Sequence, residues 1–112
     1  MLCLSAALSE ELRHSKNFTS VINRMELLVE PELSPKDEHE IRGFLKTCKV
    51  IPLNNKIERE AIAIRKNANP KRPKLPDAII CATAVKLGAI LITNDKDLLA
   101  LSWHGLQTVS IT

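Results

Sequence analysis

Leu75-Pro76-Asp77-Ala78-Ile79-Ile80-Cys81-Ala82-Thr83-Ala84, followed eighteen positions after Asp77 by Asp95 in Thr93-Asn94-Asp95, is the stretch that decides the fold. The first run has no polar face and reads as a buried helix from Pro76 to Leu87. Gly88 stands where a left-handed stop belongs. Ala89 to Thr93 is apolar on both faces, as in a strand buried within a parallel sheet. Asp77 therefore opens an apolar helix and Asp95 closes an apolar strand. In an open α/β fold both acids emerge at the carboxyl edge of the sheet, where ligands bind. Two converging carboxylates suit a divalent cation.

Working outward, helices and short strands alternate. Residues 4–16 read as a helix through Leu4, Ala7, Leu8 and Leu12. Asn17-Phe18-Thr19 is a short extended piece. Ser20 caps a helix bearing Val21, Ile22, Met25, Leu28 and Val29, which Pro31 stops. Ser34 and Pro35 open another helix running to Lys46. Cys48 to Leu53 reads as a strand. Asn54 or Asn55 caps a helix from Lys56 to Lys66 with Ile57, Ala61 and Ile64 inward, and Leu106 to Ile111 is a last strand at an edge. The alternation predicts one three-layer α/β/α domain over residues 1–112 with a mainly parallel sheet.

Bulk composition narrows the chemistry. With 112 residues, 45% hydrophobic and 26% charged, the chain is an ordinary one-domain protein. Its only aromatic residues are Phe18, Phe44 and Trp103, which argues against reading bases by stacking. Seven basic residues from Lys56 to Lys74 stand against Glu58 and Glu60. This segment carries +5 of an overall +3, leaving about −2 elsewhere. A basic segment entering an acidic site suits a phosphate-bearing substrate; a solvated helix face is the plainer explanation.

Cys3, Cys48 and Cys81 show neither zinc spacing nor a disulfide framework, which fits a reducing cytoplasm. Residues 1–8 lack the basic start of a signal peptide, and no run approaches the roughly 20 apolar residues of a membrane span. Three glycines supply no phosphate-binding loop, and His14, His39 and His104 have no ligand spacing.

Each acid also has a plain structural explanation. Asp77 could serve the helix dipole, Asp95 a turn, and Asp97 the cap of a short helix from Leu98 to Leu101. Glu26, between Met25 and Leu27, could be a surface glutamate. That is the commoner explanation; its apolar flanks leave the alternative that it points inward along the core boundary, where a metal would compensate its charge.

Together, residues 18–28 (Phe18-Thr19-Ser20-Val21-Ile22-Asn23-Arg24-Met25-Glu26-Leu27-Leu28), the run from Leu75 to Ala84, and Gly88-Ala89-Ile90-Leu91-Ile92-Thr93-Asn94-Asp95-Lys96-Asp97-Leu98 resemble the later motifs of a PIN domain. The similarity is greatest to the VapC-type toxin ribonucleases of bacterial toxin–antitoxin pairs. The resemblance implies a metal-dependent endoribonuclease that uses Mg²⁺ or Mn²⁺ to activate water and stabilise charge on the phosphodiester. It implies Glu26, Asp77 and Asp95 as catalytic metal ligands, Asp97 as an auxiliary ligand and Thr93 as a supporting hydroxyl. RNA and an antitoxin protein are the implied partners. Lys71, Arg72 and Lys74 would hold RNA backbone, by position rather than by family motif.

One departure matters. PIN domains begin with a central strand ending in an aspartate, and no aspartate precedes Asp37 here. Ser5 is the one candidate for even a degenerate equivalent. The expectation is an N-terminally truncated PIN-like fold, begun inside the original first helix or reduced to a binding role. Cleavage should be weak or absent, with a degenerate module binding antitoxin, itself or RNA as the alternative. A missing central strand would leave open edges, predicting a homodimer. A response-receiver domain would need paired acids after the first strand and a late lysine, which this order does not supply.

Overall fold

A computed structural model describes the backbone of residues 3–5 and residues 17–110 throughout. The elements in chain order are β1 (Cys3–Ser5), β2 (Asn17–Ser20), α1 (Val21–Leu28), α2 (Pro35–Lys46), β3 (Lys49–Ile51), α3 (Asn55–Asn67), α4 (Leu75–Leu87), β4 (Ile90–Ile92), α5 (Lys96–Leu99) and β5 (Gln107–Val109). The strands form one sheet in the order β3-β2-β1-β4-β5. The pairs β2–β3 and β4–β5 are parallel. The architecture is mixed α/β.

Two expectations about the start of the chain are corrected. Leu4 and Ser5 lie in a strand, not at the head of a helix; the rest of the helix expected over 4–16 falls outside the described residues. The centre of the sheet is also filled, because β1 pairs with both β2 and β4. It runs antiparallel to each, so the sheet is two parallel pairs joined through an antiparallel centre rather than mainly parallel. An unfilled gap therefore supplies no argument for a dimer.

Local chemistry explains most boundaries. The Ser20, Ser34 and Asn54 side chains accept hydrogen bonds from the backbone N–H groups of Ile22, Asp37 and Ile57, satisfying orphan donors at three helix starts. Gly88 ends α4 at φ 64°, a left-handed turn that a β-carbon would disfavour.

The core is built around α4. Ala78, Ile80, Cys81, Ala82, Thr83 and Ala84 are buried, so this helix is enclosed almost all round, as its unbroken apolar sequence requires. From α3 come Ile57, Ala61 and Ile64, at helical spacing on one face. Leu91 of β4 and Leu98 and Leu101 beyond it complete the cluster. The alanines let α3 and α4 approach closely, and each fully buried Ile contributes about 1.5–3 kcal/mol. A seven-residue connection joins two helices that pack together, so α3 and α4 form a hairpin. The last turn of α3 thus lies at the same end as the first turn of α4.

Candidate metal and phosphate site

Asp77 stands in the first turn of α4, directly after Pro76. The pyrrolidine ring suits a first-turn position, because the N–H it lacks would have no partner within the helix. Asp95 follows β4 and caps α5. Its Oδ1 accepts from the N–H groups of Asp97 at 2.8 Å and Leu98 at 3.3 Å. The Asp95 N–H donates to Thr93 Oγ1 at 3.0 Å, and Thr93 is fully buried. A rigid hydroxyl at the strand end thereby sets the turn that carries the acid. Asp97 lies inside α5, so the cap expected of it belongs to Asp95.

These acids line one cavity of about 270 Å³ with three cations, Lys71, Arg72 and Lys74. Pro73, Leu98 and Leu101 form its apolar lining. The basic loop is held from behind. Ala68 and Pro73 are buried, and Ser102 N–H donates to Asn69 O at 2.8 Å. The chain between these anchors carries Lys71 and Arg72 to the surface. Lys71 Nζ lies 3.5 Å from Asp97 Oδ2, both side chains well exposed.

The carboxylates act on one another. Burial raises the Asp77 pKa above its ordinary value, and the Asp95 charge raises it further; Lys74 opposes this and Asp97 adds to it. Glu26 is raised by partial desolvation and then by the charge of Asp77. Cys81, one turn along α4, is pushed up to about 12 by burial and by the charges of Asp77 and Asp95, so it is an inert thiol. Such mutual repulsion is what a bound cation would relieve.

The Glu26 side chain is exposed on α1, as the commoner reading of a surface glutamate has it, and is not turned along the core boundary. It reaches the other acids only through its charge. The buried polar residue of that helix is Asn23, whose Nδ2 donates to Thr19 Oγ1 at 3.0 Å. Ser5 is displaced more completely. In β1 it stands opposite Ile90 and Asn17, while Cys3 stands opposite Ile92. Because β1 is antiparallel, Ser5 lies at the sheet edge away from Asp95. Sequence reasoning missed the Asn69–Ser102 anchor and the Asn23–Thr19 pair. A lone amide among Val21, Ile22 and Met25 was the available signal for the second.

Among the described residues, no three of His, Cys, Asp and Glu are gathered as a set able to hold a metal ion. The donors do suit a hard cation of the Mg²⁺ type. Such an ion takes one or two protein carboxylates, several waters and substrate phosphate.

The PIN domain family matches residues 4–103. The chain belongs to the PIN domain family. Among solved structures, this PIN domain is similar to a toxin–antitoxin complex from Klebsiella pneumoniae. The identity is 32% and the TM-score 0.62, covering 78% of this chain and 68% of that one. No curated protein matches. Among the described residues, no helix is long and apolar enough to cross a membrane.

The double role of Asp95 can be separated. Asp95→Ala should cost about 1 kcal/mol through the lost cap, lowering the melting temperature by roughly 4–8 °C. Asp95→Asn keeps a capping oxygen and should melt near the wild type. Both should lose any stabilisation by added Mn²⁺. Calorimetric melts with and without Mn²⁺ check this; a wild-type response in Asp95→Asn would show that the charge is not used for metal.

Proposed function

We propose that this PIN domain is the ribonuclease component of a toxin–antitoxin pair, acting on RNA phosphodiesters with Mg²⁺ or Mn²⁺, and that its cleavage is weak. The observation that carries the reading is the shared cavity, in which Asp77, Asp95 and Asp97 face Lys71, Arg72 and Lys74. Acids alone would suit a cation and bases alone a polyanion. A phosphodiester bridged to a divalent cation needs both.

Asp77 and Asp95 would hold the cation, with Glu26 and Asp97 adding charge at longer range. Thr93 orients the Asp95 turn. Lys71, Arg72 and Lys74 would take the non-bridging oxygens of the phosphodiester and its neighbours. A bound Mg²⁺ or Mn²⁺ supplies Lewis acidity at phosphorus and lowers the pKa of a water. Weak cleavage follows from the ligand set: among the described residues, no three of His, Cys, Asp and Glu are gathered closely enough to hold a metal ion. The same observation favours a second reading, a PIN module that binds RNA, a partner or its own copy without cutting. An antitoxin partner is proposed from the Klebsiella complex.

The test is an end-labelled single-stranded RNA incubated with purified protein in Mn²⁺, Mg²⁺ or EDTA. Slow cleavage in Mn²⁺ that EDTA stops is expected. Binding without cleavage in any metal selects the second reading, and cleavage that survives EDTA removes the metal-dependent one.

A further inference from the structure

Arg65 and Lys66 occupy the last turn of α3, and both are exposed. Neither is in an ion pair among the described residues. The α3–α4 hairpin brings this turn to the end where Asp77 begins α4. Between the two lie only the buried Ala68, the Asn69–Ser102 anchor and the cationic loop. From Arg65 to Lys74 the chain carries five cations and no acid. They are presented on a regular helix turn and on a loop fixed at two points.

Resting on the reading above, we infer that Arg65 and Lys66 form a second phosphate-binding station, which holds the flank of a single-stranded RNA whose reactive phosphodiester lies in the Asp77 cavity. The station reads backbone rather than base. The cavity lining contains no aromatic side chain, and the one tryptophan, Trp103, donates its Nε1 proton to Glu60 at 2.7 Å. Recognition through phosphates alone is tolerant of sequence and steeply dependent on salt. It also sets a minimum length, because a fragment that fills only the cavity leaves Arg65 and Lys66 without a partner. Cations in a last turn also complement the helix dipole, a purely structural service. That service would act on stability and not on RNA length dependence.

The experiment is fluorescence anisotropy in EDTA, where no metal-dependent cleavage occurs, with labelled oligouridylates of 3 and 12 nucleotides across a KCl series. The wild type should bind the 12-mer more tightly. Arg65→Gln/Lys66→Gln should weaken the 12-mer several-fold and reduce its salt slope by about 1.4, near 0.7 for each phosphate no longer neutralised. Its 3-mer affinity should be unchanged. Lys71→Gln/Arg72→Gln should weaken both oligomers. An unchanged 12-mer slope in the first variant overturns the second station while leaving the cavity reading intact. Equal weakening of 3-mer and 12-mer by the first variant also overturns it. If the second variant alters neither oligomer, the cavity reading itself fails. A polyglutamate peptide bound as tightly as the 12-mer, with the same loss in the first variant, overturns it in favour of an acidic protein partner.

Discussion

Asp77→Asn should abolish the rise in melting temperature caused by Mn²⁺ and lower Mn²⁺-dependent RNA cleavage by roughly 100-fold, the scale for removing one electrostatic group from a reaction centre. Without metal the change should run the other way. Burial and the charges of Asp95 and Asp97 outweigh Lys74 and hold the Asp77 pKa above 3.8, so the folded protein resists ionising this group. The folded state then binds more protons than the unfolded state between the two values, and stability falls as pH rises through that window. At neutral pH the ionised carboxylate costs folding energy, and Asn removes the cost. The residue is partly exposed, so screening limits the gain to about half a kcal/mol, roughly 2–4 °C. The difference should vanish as pH falls to the ordinary Asp value. Protonation also competes with metal, so the Mn²⁺ response of the wild type should fade at a higher pH than for an unperturbed aspartate. Melting curves from pH 4 to 8, with Mn²⁺ or EDTA, read both effects. A metal-free variant melting several degrees below the wild type would show that the charge serves the fold.

Ile64→Ala should be the most damaging single truncation of the α3–α4 hairpin. Ile64 has no exposed surface and projects from α3 into the cluster around α4. Removing its side chain beyond Cβ leaves a cavity that close-packed neighbours refill only in part, at a cost of about 2–5 kcal/mol. That is a large share of the roughly 5–15 kcal/mol that holds a domain folded. Ile62, two residues away, is 48% exposed, and Ile62→Ala should stay within about 0.5 kcal/mol. Urea melts of the two variants make the comparison. Equal losses would mean that α3 does not bury the face assigned to it. Because this hairpin sets Asp77 beside the basic loop, Ile64→Ala should also weaken oligouridylate binding, whereas Ile62→Ala should not.

Much of the architecture was legible because local chemistry and burial pointed the same way. An unbroken apolar run after Pro76 and before Gly88 has no stable use except a buried helix, and α4 is that helix. Ser20, Ser34 and Asn54 precede helices and cap them, since short polar side chains satisfy N–H groups that the helix leaves open. The alternating run from Leu106 to Ile111 suits an edge, and β5 is at an edge. Asp77 and Asp95 stand at element ends near enough for the charge of Asp95 to raise the Asp77 pKa.

The misreadings share a cause. Three residues, Cys3–Ser5, form a strand only because β2 and β4 offer edges on either side, so helical spacing in 4–16 was misleading for its first members. Strand direction is decided by those same edges. It carries Ser5 away from the acids, although sequence order alone suggested the opposite. Glu26 is not among them: the plainer reading of a surface glutamate holds, because apolar flanks do not orient a helical side chain and Glu26 is exposed while Leu27 beside it is half-buried.

By itself, the sequence determined the boundaries of α1 to α4 to within a residue or two, the burial of α4, the acids at two element ends and the cationic loop. These depend on capping, periodicity and charge, which act within a few residues along the chain. Only the tertiary structure decided that β1 fills the sheet antiparallel, that Asn69 is pinned to Ser102, and that three acids and three cations line one cavity. Those outcomes join residues far apart in sequence. Sheet edges and buried backbone groups take whichever partner the packed fold brings within hydrogen-bonding reach, and no local pattern names that partner.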